Sequence, residues 1–154
     1  MENLRILIDN HQEERLPTAL LHKKIEQILN ALGCNDHELS IVITDDAQVR
    51  DLNRTYRGKD TSTNVLSFPM QEGEFSDITP GLLGDVVISL DTARAEAQEA
   101  GISTDERISQ LLIHGILHLM GFDHELGEEQ AREMEEKSLE LLRRIEKNPD
   151  LPAF

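Results

Sequence analysis

Three of the chain's six histidines fall in one short run, His114-Gly115-Ile116-Leu117-His118-Leu119-Met120-Gly121-Phe122-Asp123-His124. His114 and His118 are four residues apart, so on a helix they share a face with Cβ atoms about 5–6 Å apart. Two imidazoles placed that way can meet one metal ion. Gly121 can end the helix through a left-handed turn, and the chain can then fold back to bring His124 to the same ion. Three neutral nitrogens around Zn²⁺ leave a fourth position open, the arrangement of a catalytic rather than a structural zinc site. His11, His22 and His37 lack such a context and read as ordinary surface or edge residues.

The same histidine spacing occurs in zinc proteases of the metzincin type, where a glutamate follows the first histidine and acts as general base. Gly115 stands at that position here. It places no carboxylate beside a metal-bound water, so peptide hydrolysis by that route is disfavoured while the metal-binding pattern is kept.

A second set of residues is cationic. Arg50, Arg54 and Arg57 recur at helical spacing and form a stripe opposite Val49, Leu52 and Tyr56, and Lys59 extends it past the helix end. In a chain with 30 acidic and 15 basic residues this is a notable positive cluster. Such stripes are usually solvated helix faces paired with nearby acids. The polar segment Thr61-Ser62-Thr63-Asn64, leading into Val65-Leu66-Ser67-Phe68-Pro69, favours a cleft wall instead. Guanidinium groups match phosphate oxygens in pairs and stabilise charge developing on them. A metal and an arginine facing one groove suit phosphodiester cleavage better than peptide cleavage.

These residues need elements to hold them. Leu4, Ile6 and Ile8 alternate as a first strand, and Leu21, Ile25, Ile28, Leu29 and Leu32 recur as a helix that Gly33 ends. Leu39, Ile41 and Ile43 form a second strand. Thr44 or Asp45 caps a helix that buries Val49, Leu52 and Tyr56 and stops at Gly58. Val65–Pro69 is a short strand, 70–82 a long loop, and Leu83–Leu90 a buried strand. Asp91 caps a helix running to Gly101. Ser103 and Glu106 make a capping box that opens the histidine helix, whose stripe of Ile108, Leu111, Leu112 and Leu119 predicts burial. A last amphipathic helix carries Ala131, Met134, Leu141, Leu142 and Ile145, with a run of glutamates on its solvated face. The order β-α-β-α-β-β-α-α-α predicts a mixed sheet of about four strands packed with about five helices.

At 154 residues the chain suits one domain, residues 1–154, with a real core. It contains no apolar run of about 18 residues, so no membrane span is expected. The start, Met1-Glu2-Asn3-Leu4-Arg5-Ile6, shows no basic stretch followed by a hydrophobic one, so no secretory signal is expected. The single cysteine, Cys34, permits no internal disulfide and reads as a small residue past a helix end in a reducing cytoplasm. The net charge of −15 argues against indiscriminate nucleic-acid binding but leaves room for a local basic cleft.

The chain resembles the bacterial YbeY-type endoribonucleases. The resemblance rests on the histidine run, on Thr55-Tyr56-Arg57-Gly58-Lys59-Asp60 with Thr63-Asn64-Val65-Leu66-Ser67-Phe68-Pro69, and on Leu83-Gly84-Asp85-Val86-Val87-Ile88. It implies an α+β, zincin-like fold with the metal site on a buried helix and the turn after it. It implies one Zn²⁺ per chain on His114, His118 and His124, and a functionally important Arg57. The implied activity is a single-strand-specific, metal-dependent endoribonuclease. That activity would serve 3′-end maturation of 16S ribosomal RNA and ribosome quality control in the cytoplasm. The implied partners are single-stranded RNA and the small ribosomal subunit, with room for ribosomal or GTPase protein partners. Phe122 stands where the family often has tyrosine, which leaves the ligands intact. On this reading Arg50, Arg54 and Lys59 bind the RNA backbone. Asp123 either orients a ligand imidazole or serves the turn after Gly121. The rival readings are a protease-like metal-dependent hydrolase of another substrate and a non-enzymatic ribosome assembly factor with a structural zinc.

Overall fold

The structure is a computed structural model that describes residues 5–11, 18–34, 38–69, 82–123 and 125–154. Leu4, His37, residues 70–81 of the expected loop, and His124 lie outside the described residues. The elements follow the expected order: β1 (Arg5–Asn10), α1 (Thr18–Ala31), β2 (Glu38–Thr44), α2 (Asp46–Arg57), β3 (Val65–Pro69), β4 (Leu82–Ser89), α3 (Leu90–Ala100), α4 (Thr104–Leu119) and α5 (Glu128–Ile145). The fold is α+β, with a four-stranded sheet ordered β1-β2-β4-β3. The first three neighbours run parallel and β3 pairs antiparallel with β4, which makes the sheet mixed and β3 an edge strand.

Alternation along the strands sorts side chains between two faces. Leu39, Ile41, Ile43, Val86 and Ile88 point into the main core, where α1, α4 and α5 contribute Ile25, Leu112, Ile116 and Leu141. Val87 and Leu66 point the other way and pack with Val49 of α2, joined by Val42, Leu52 and Phe68. Thus α2 covers one face of the sheet while α4 lies against the other. Helix α4 is the central element, buried from Ile108 to Leu117. Ser103 caps it in the expected capping box with Glu106. It closes in a Schellman turn: Phe122 N–H donates to Leu117 O at 3.0 Å and Gly121 N–H to His118 O at 3.0 Å. Gly121 holds the positive φ, 97°, that this turn needs.

Two local expectations are corrected. Ser89 rather than Asp91 caps α3, accepting from Thr92 N–H. Asp91 instead sits in the first turn and accepts from the backbone N–H of Asp46 at 3.2 Å. Tyr56 is not buried with Val49 and Leu52 but 69% exposed, because the last turn of α2 lies over the edge strand β3, where the ring meets Phe68 with no further described strand to cover it. Cys34 is buried beside Met120, Sγ to Sδ 3.4 Å, and burial pushes its thiol above the ordinary range.

Two polar clusters tie the layers together. The Oδ1 of Asp46 accepts from Ser89 Oγ at 2.5 Å, Thr92 Oγ1 at 2.6 Å and Ser62 Oγ at 3.2 Å. It joins the start of α2, the start of α3 and the segment before β3. Burial alone would raise the carboxyl's pKa, but the three hydroxyl donors outweigh it and hold it below the ordinary carboxylate range. On the main-core side, Lys24 Nζ donates to Glu146 Oε1 at 2.5 Å and to Ser109 Oγ at 3.2 Å, and Ser109 Oγ donates to the same Glu146 oxygen at 2.6 Å. This buried pair binds α1, α4 and the segment after α5.

Lys24→Ala leaves Glu146 without its cation in a nearly closed site and should cost about 3–5 kcal/mol in urea unfolding. The double change Lys24→Met with Glu146→Leu should recover most of that loss. For Asp46, a lowered folded pKa means its contribution is complete above the unfolded value of about 4 and is lost as pH falls through the folded value. Asp46→Asn should therefore lower stability at neutral pH, and its gap from the parent protein should narrow below about pH 4.

Candidate functional site

The site is built where α4 meets the edge strand. Ser67 points from β3 toward α4, and its Oγ donates to the Gly115 carbonyl at 2.9 Å. A Cβ added at Gly115 would lie 2.7 Å from Val86 Cγ1 and 3.2 Å from Ser67 Oγ. Glycine is thus required by contact: the helix backbone rests on β3 and β4 with no space for a side chain. The missing glutamate of the protease pattern has a steric counterpart, since a carboxylate side chain at 115 would drive into the sheet. Gly84 marks a second tight spot, where an added Cβ would stand 2.2 Å from Phe68 O.

With α4 seated this way, His114 and His118 face one cleft. Their Nε2 atoms are 3.1 Å apart and their rings meet edge to face, centroids 4.6 Å apart. Two nitrogens at about 2.0–2.1 Å from one tetrahedral ion would be about 3.3 Å apart, so the pair is spaced to share a metal. His124, the third expected ligand, lies outside the described residues. Among the described residues no group of three His, Cys, Asp or Glu side chains converges as a metal site.

The cleft has a volume of about 410 Å³ and is lined by both histidines, by Val65, Ser67 and Pro69 of β3, and by Arg57. Arg57 arrives from the opposite face of the sheet. It ends α2, which Gly58 terminates with φ 69°. Its guanidinium lies 5.6 Å from the Phe68 ring centre, and Nη2 donates to Ser67 O at 2.6 Å. The histidines and Arg57 therefore meet across one edge strand, each held by a different face.

The other cations are placed differently. Arg50 makes a two-point pair with Asp60, at 2.8 and 3.1 Å, and Arg54 pairs with Asp51 at 3.0 Å. Both pairs are exposed, neither arginine lines the cleft, and Lys59 does not line it either. The structure brings Arg57 to the histidines and leaves the rest of the stripe in solvent, paired as charged helix faces usually are. Asp123 lines the cleft rim and its Oδ1 accepts from Glu125 N–H at 2.9 Å, which makes it a turn residue after the helix. His11 is a surface residue, raised in pKa by hydrogen bonds to Gln48 and Asp9. His22 lies on the surface beside Glu26.

One participant carries no sequence signal at all. Residues 148–154 run back along the stripe Glu106, Gln110, His114 of α4. Asn148 Nδ2 donates to Glu106 Oε2 at 3.1 Å, and Gln110 Nε2 donates to Pro152 O at 2.8 Å. Phe154 then packs edge to face on the His114 ring, centroids 4.1 Å apart, with the Arg107 guanidinium 4.8 Å from its own ring centre. The imidazole of His114 is thus held between His118 and Phe154. No motif pairs residue 154 with residue 114, and only the folded chain reveals the contact.

Known proteins resemble this chain over most of its length. A family model described as endoribonuclease YbeY matches residues 7–146. The chain is similar to the endoribonuclease YbeY of Geobacter sulfurreducens, 50% identical over 145 residues that cover 93% of this chain and 97% of the relative. It is similar to that of Aquifex aeolicus, 49% identical over 127 residues that cover 82% and 83%. Among solved structures, the solution structure of TM1509 from Thermotoga maritima matches with a TM-score of 0.63 at 26% identity, covering 92% of this chain and 88% of that one.

Gly115→Ala should lift α4 off the sheet. We expect a loss of about 1–3 kcal/mol in thermal or urea unfolding, typical of overpacking. A smaller loss is expected for Gly115→Ala combined with Val86→Ala, which clears the space that the new methyl needs.

Proposed function

The chain belongs to the YbeY endoribonuclease family, and we propose that it is a single-strand-specific, metal-dependent endoribonuclease of ribosomal RNA. The single observation that carries this reading is the meeting, in one cleft, of two imidazoles spaced to share an ion and a guanidinium anchored for phosphate. We assign 3′-end maturation of 16S ribosomal RNA and ribosome quality control in the cytoplasm as its setting. The small ribosomal subunit is its partner in that setting, with ribosomal or GTPase proteins beside it.

His114, His118 and His124 would hold one Zn²⁺ in a zincin-like site on α4 and the turn after it. When bound, the ion would supply Lewis acidity and a water of pKa near about 7. The chain's own part is orientation and charge. Helix α4 is fixed by its capping box, its Schellman turn and its contact with β3, which holds the backbone of both histidines, and the His118 and Phe154 rings pack on the His114 imidazole. Arg57 spends one N–H on the Ser67 carbonyl and offers its remaining donors to phosphate oxygens, where they offset charge as it develops. Since that hydrogen bond already orders the guanidinium, less entropy is lost on meeting the substrate. Lys59, exposed past the helix end and outside the cleft lining, would meet an RNA backbone that runs beyond the cleft. Arg50 and Arg54 act at most by diluting the acidic field, because their guanidiniums are engaged by Asp60 and Asp51.

Two features weigh against peptide hydrolysis. Gly115 has no room to become a general base. The open edge of β3 is also obstructed. Ser89 N–H donates to Asn64 O, so by alternation residues 65, 67 and 69 turn their backbone groups outward. Arg57 occupies the outward carbonyl of Ser67, where an added peptide strand would need to bond.

The test is metal content together with cleavage of single-stranded RNA and of casein. The parent protein should carry about one zinc per chain and cut RNA only. His114→Ala and His118→Ala should lose the metal. Arg57→Ala should keep fold and metal and lose about 100-fold or more in kcat, as removal of one charge-stabilising donor does elsewhere. Arg57→Lys should recover only part of it. Full zinc retention in both histidine variants would reject the metal site, and RNA cleavage at the parent rate by Arg57→Ala would reject its catalytic role.

A further inference from the structure

The chain's one tyrosine is the most exposed aromatic residue among the described residues. Tyr56 is 69% exposed. It lies in the last turn of α2, one residue before Arg57. Although consecutive helical residues diverge by about 100°, Tyr56 and Arg57 converge on one neighbour. The Tyr56 ring meets Phe68 at a centroid distance of 5.6 Å and 66° between planes, and the Arg57 guanidinium stands 5.6 Å from the same Phe68 ring. Phe68 is half-buried on the small cluster under α2 and gives both residues a fixed base. A large aromatic ring in water, propped on its edge and adjacent to a phosphate-binding guanidinium, is the construction by which proteins take up unpaired bases.

We propose that Tyr56 is a nucleobase-stacking platform beside the cleft, taking a base of the RNA strand whose phosphate Arg57 holds. The inference rests on the endoribonuclease reading and deepens it. It gives the preference for single strands a physical origin: a base inside a duplex has no free face for the ring. It also predicts tolerance of base identity, since every base has a π-face. Tyr56 belongs to the substrate-binding surface and is not assigned to the chemical step.

One tyrosine per chain makes the test direct. Protein labelled with 3-fluorotyrosine gives a single ¹⁹F resonance from position 56. It should shift on titration with an uncleavable 2′-O-methyl oligonucleotide. It should not shift with an abasic phosphodiester of equal length, which carries the same charges and no bases. In cleavage assays of single-stranded RNA, Tyr56→Ala should raise KM about tenfold with kcat nearly unchanged. Tyr56→Phe should stay close to the parent, because stacking needs the ring and not the hydroxyl. Equal shifts with the abasic strand, or a parent-like KM for Tyr56→Ala in a protein that cleaves RNA, would overturn the platform alone. A parent protein that neither binds nor cleaves single-stranded RNA would overturn the endoribonuclease reading and the platform with it.

Discussion

The cleft depends on how closely α4 approaches the edge of the sheet. Gly115 and Ser67 are the two small residues that set this distance, with Val86 beneath them and a hydrogen bond from Ser67 to the helix carbonyl across the gap. Once the helix is seated, the positions of His114 and His118 follow from helical geometry alone. The same strand fixes Arg57 from the other side through the next carbonyl contact. A five-residue edge strand is therefore the common reference for two groups that arrive from opposite faces of the sheet. The cleft's geometry thus rests on Ser67, which lines it, and on Gly115 and Val86 behind it.

The polar fastenings lie where layers would otherwise slide. Asp46 gathers three hydroxyls, two from the start of α3 and one from the segment before β3, and so ties the start of α2 to both. Lys24, Ser109 and Glu146 do the same for the N-terminal half of α4. Arg107 joins Glu96 and Gln110, linking α3 to α4 just before the histidines begin. Buried charges cost desolvation and contribute modestly to net stability. Their effect here is to select one arrangement of the helices among several that the apolar core would tolerate.

Local chemistry made most of this fold legible in the sequence. The nine elements, the caps at Asp45 and Ser103 and the glycine stops at Gly58 and Gly121 all follow from short-range rules of backbone satisfaction and periodicity. The histidine pair and Arg57 were legible because their spacing is itself local. Misreadings arose wherever an outcome depended on a distant partner. Tyr56 fits the buried side of α2 by period, yet beneath it lies only the edge strand, whose Phe68 meets one side of the ring. Ser89 and Asp91 are both good caps, and a contact with Asp46 decided between them. Arg50 and Arg54 share a stripe with Arg57, and only the folded chain shows their pairs with Asp60 and Asp51. The contact of Phe154 with His114 spans forty residues of chain and has no local trace.

Arg57 also has a bearing on how the protein behaves in a crowded solution. An edge strand with free outward carbonyls and N–H groups is a template on which another chain can add, the first step of self-association. The bulky, charged side chain laid across Ser67 interrupts that template at its midpoint. The residue that gives the cleft its positive charge thus also keeps the sheet from growing. A change at this position would therefore bear on self-association as well as on the cleft.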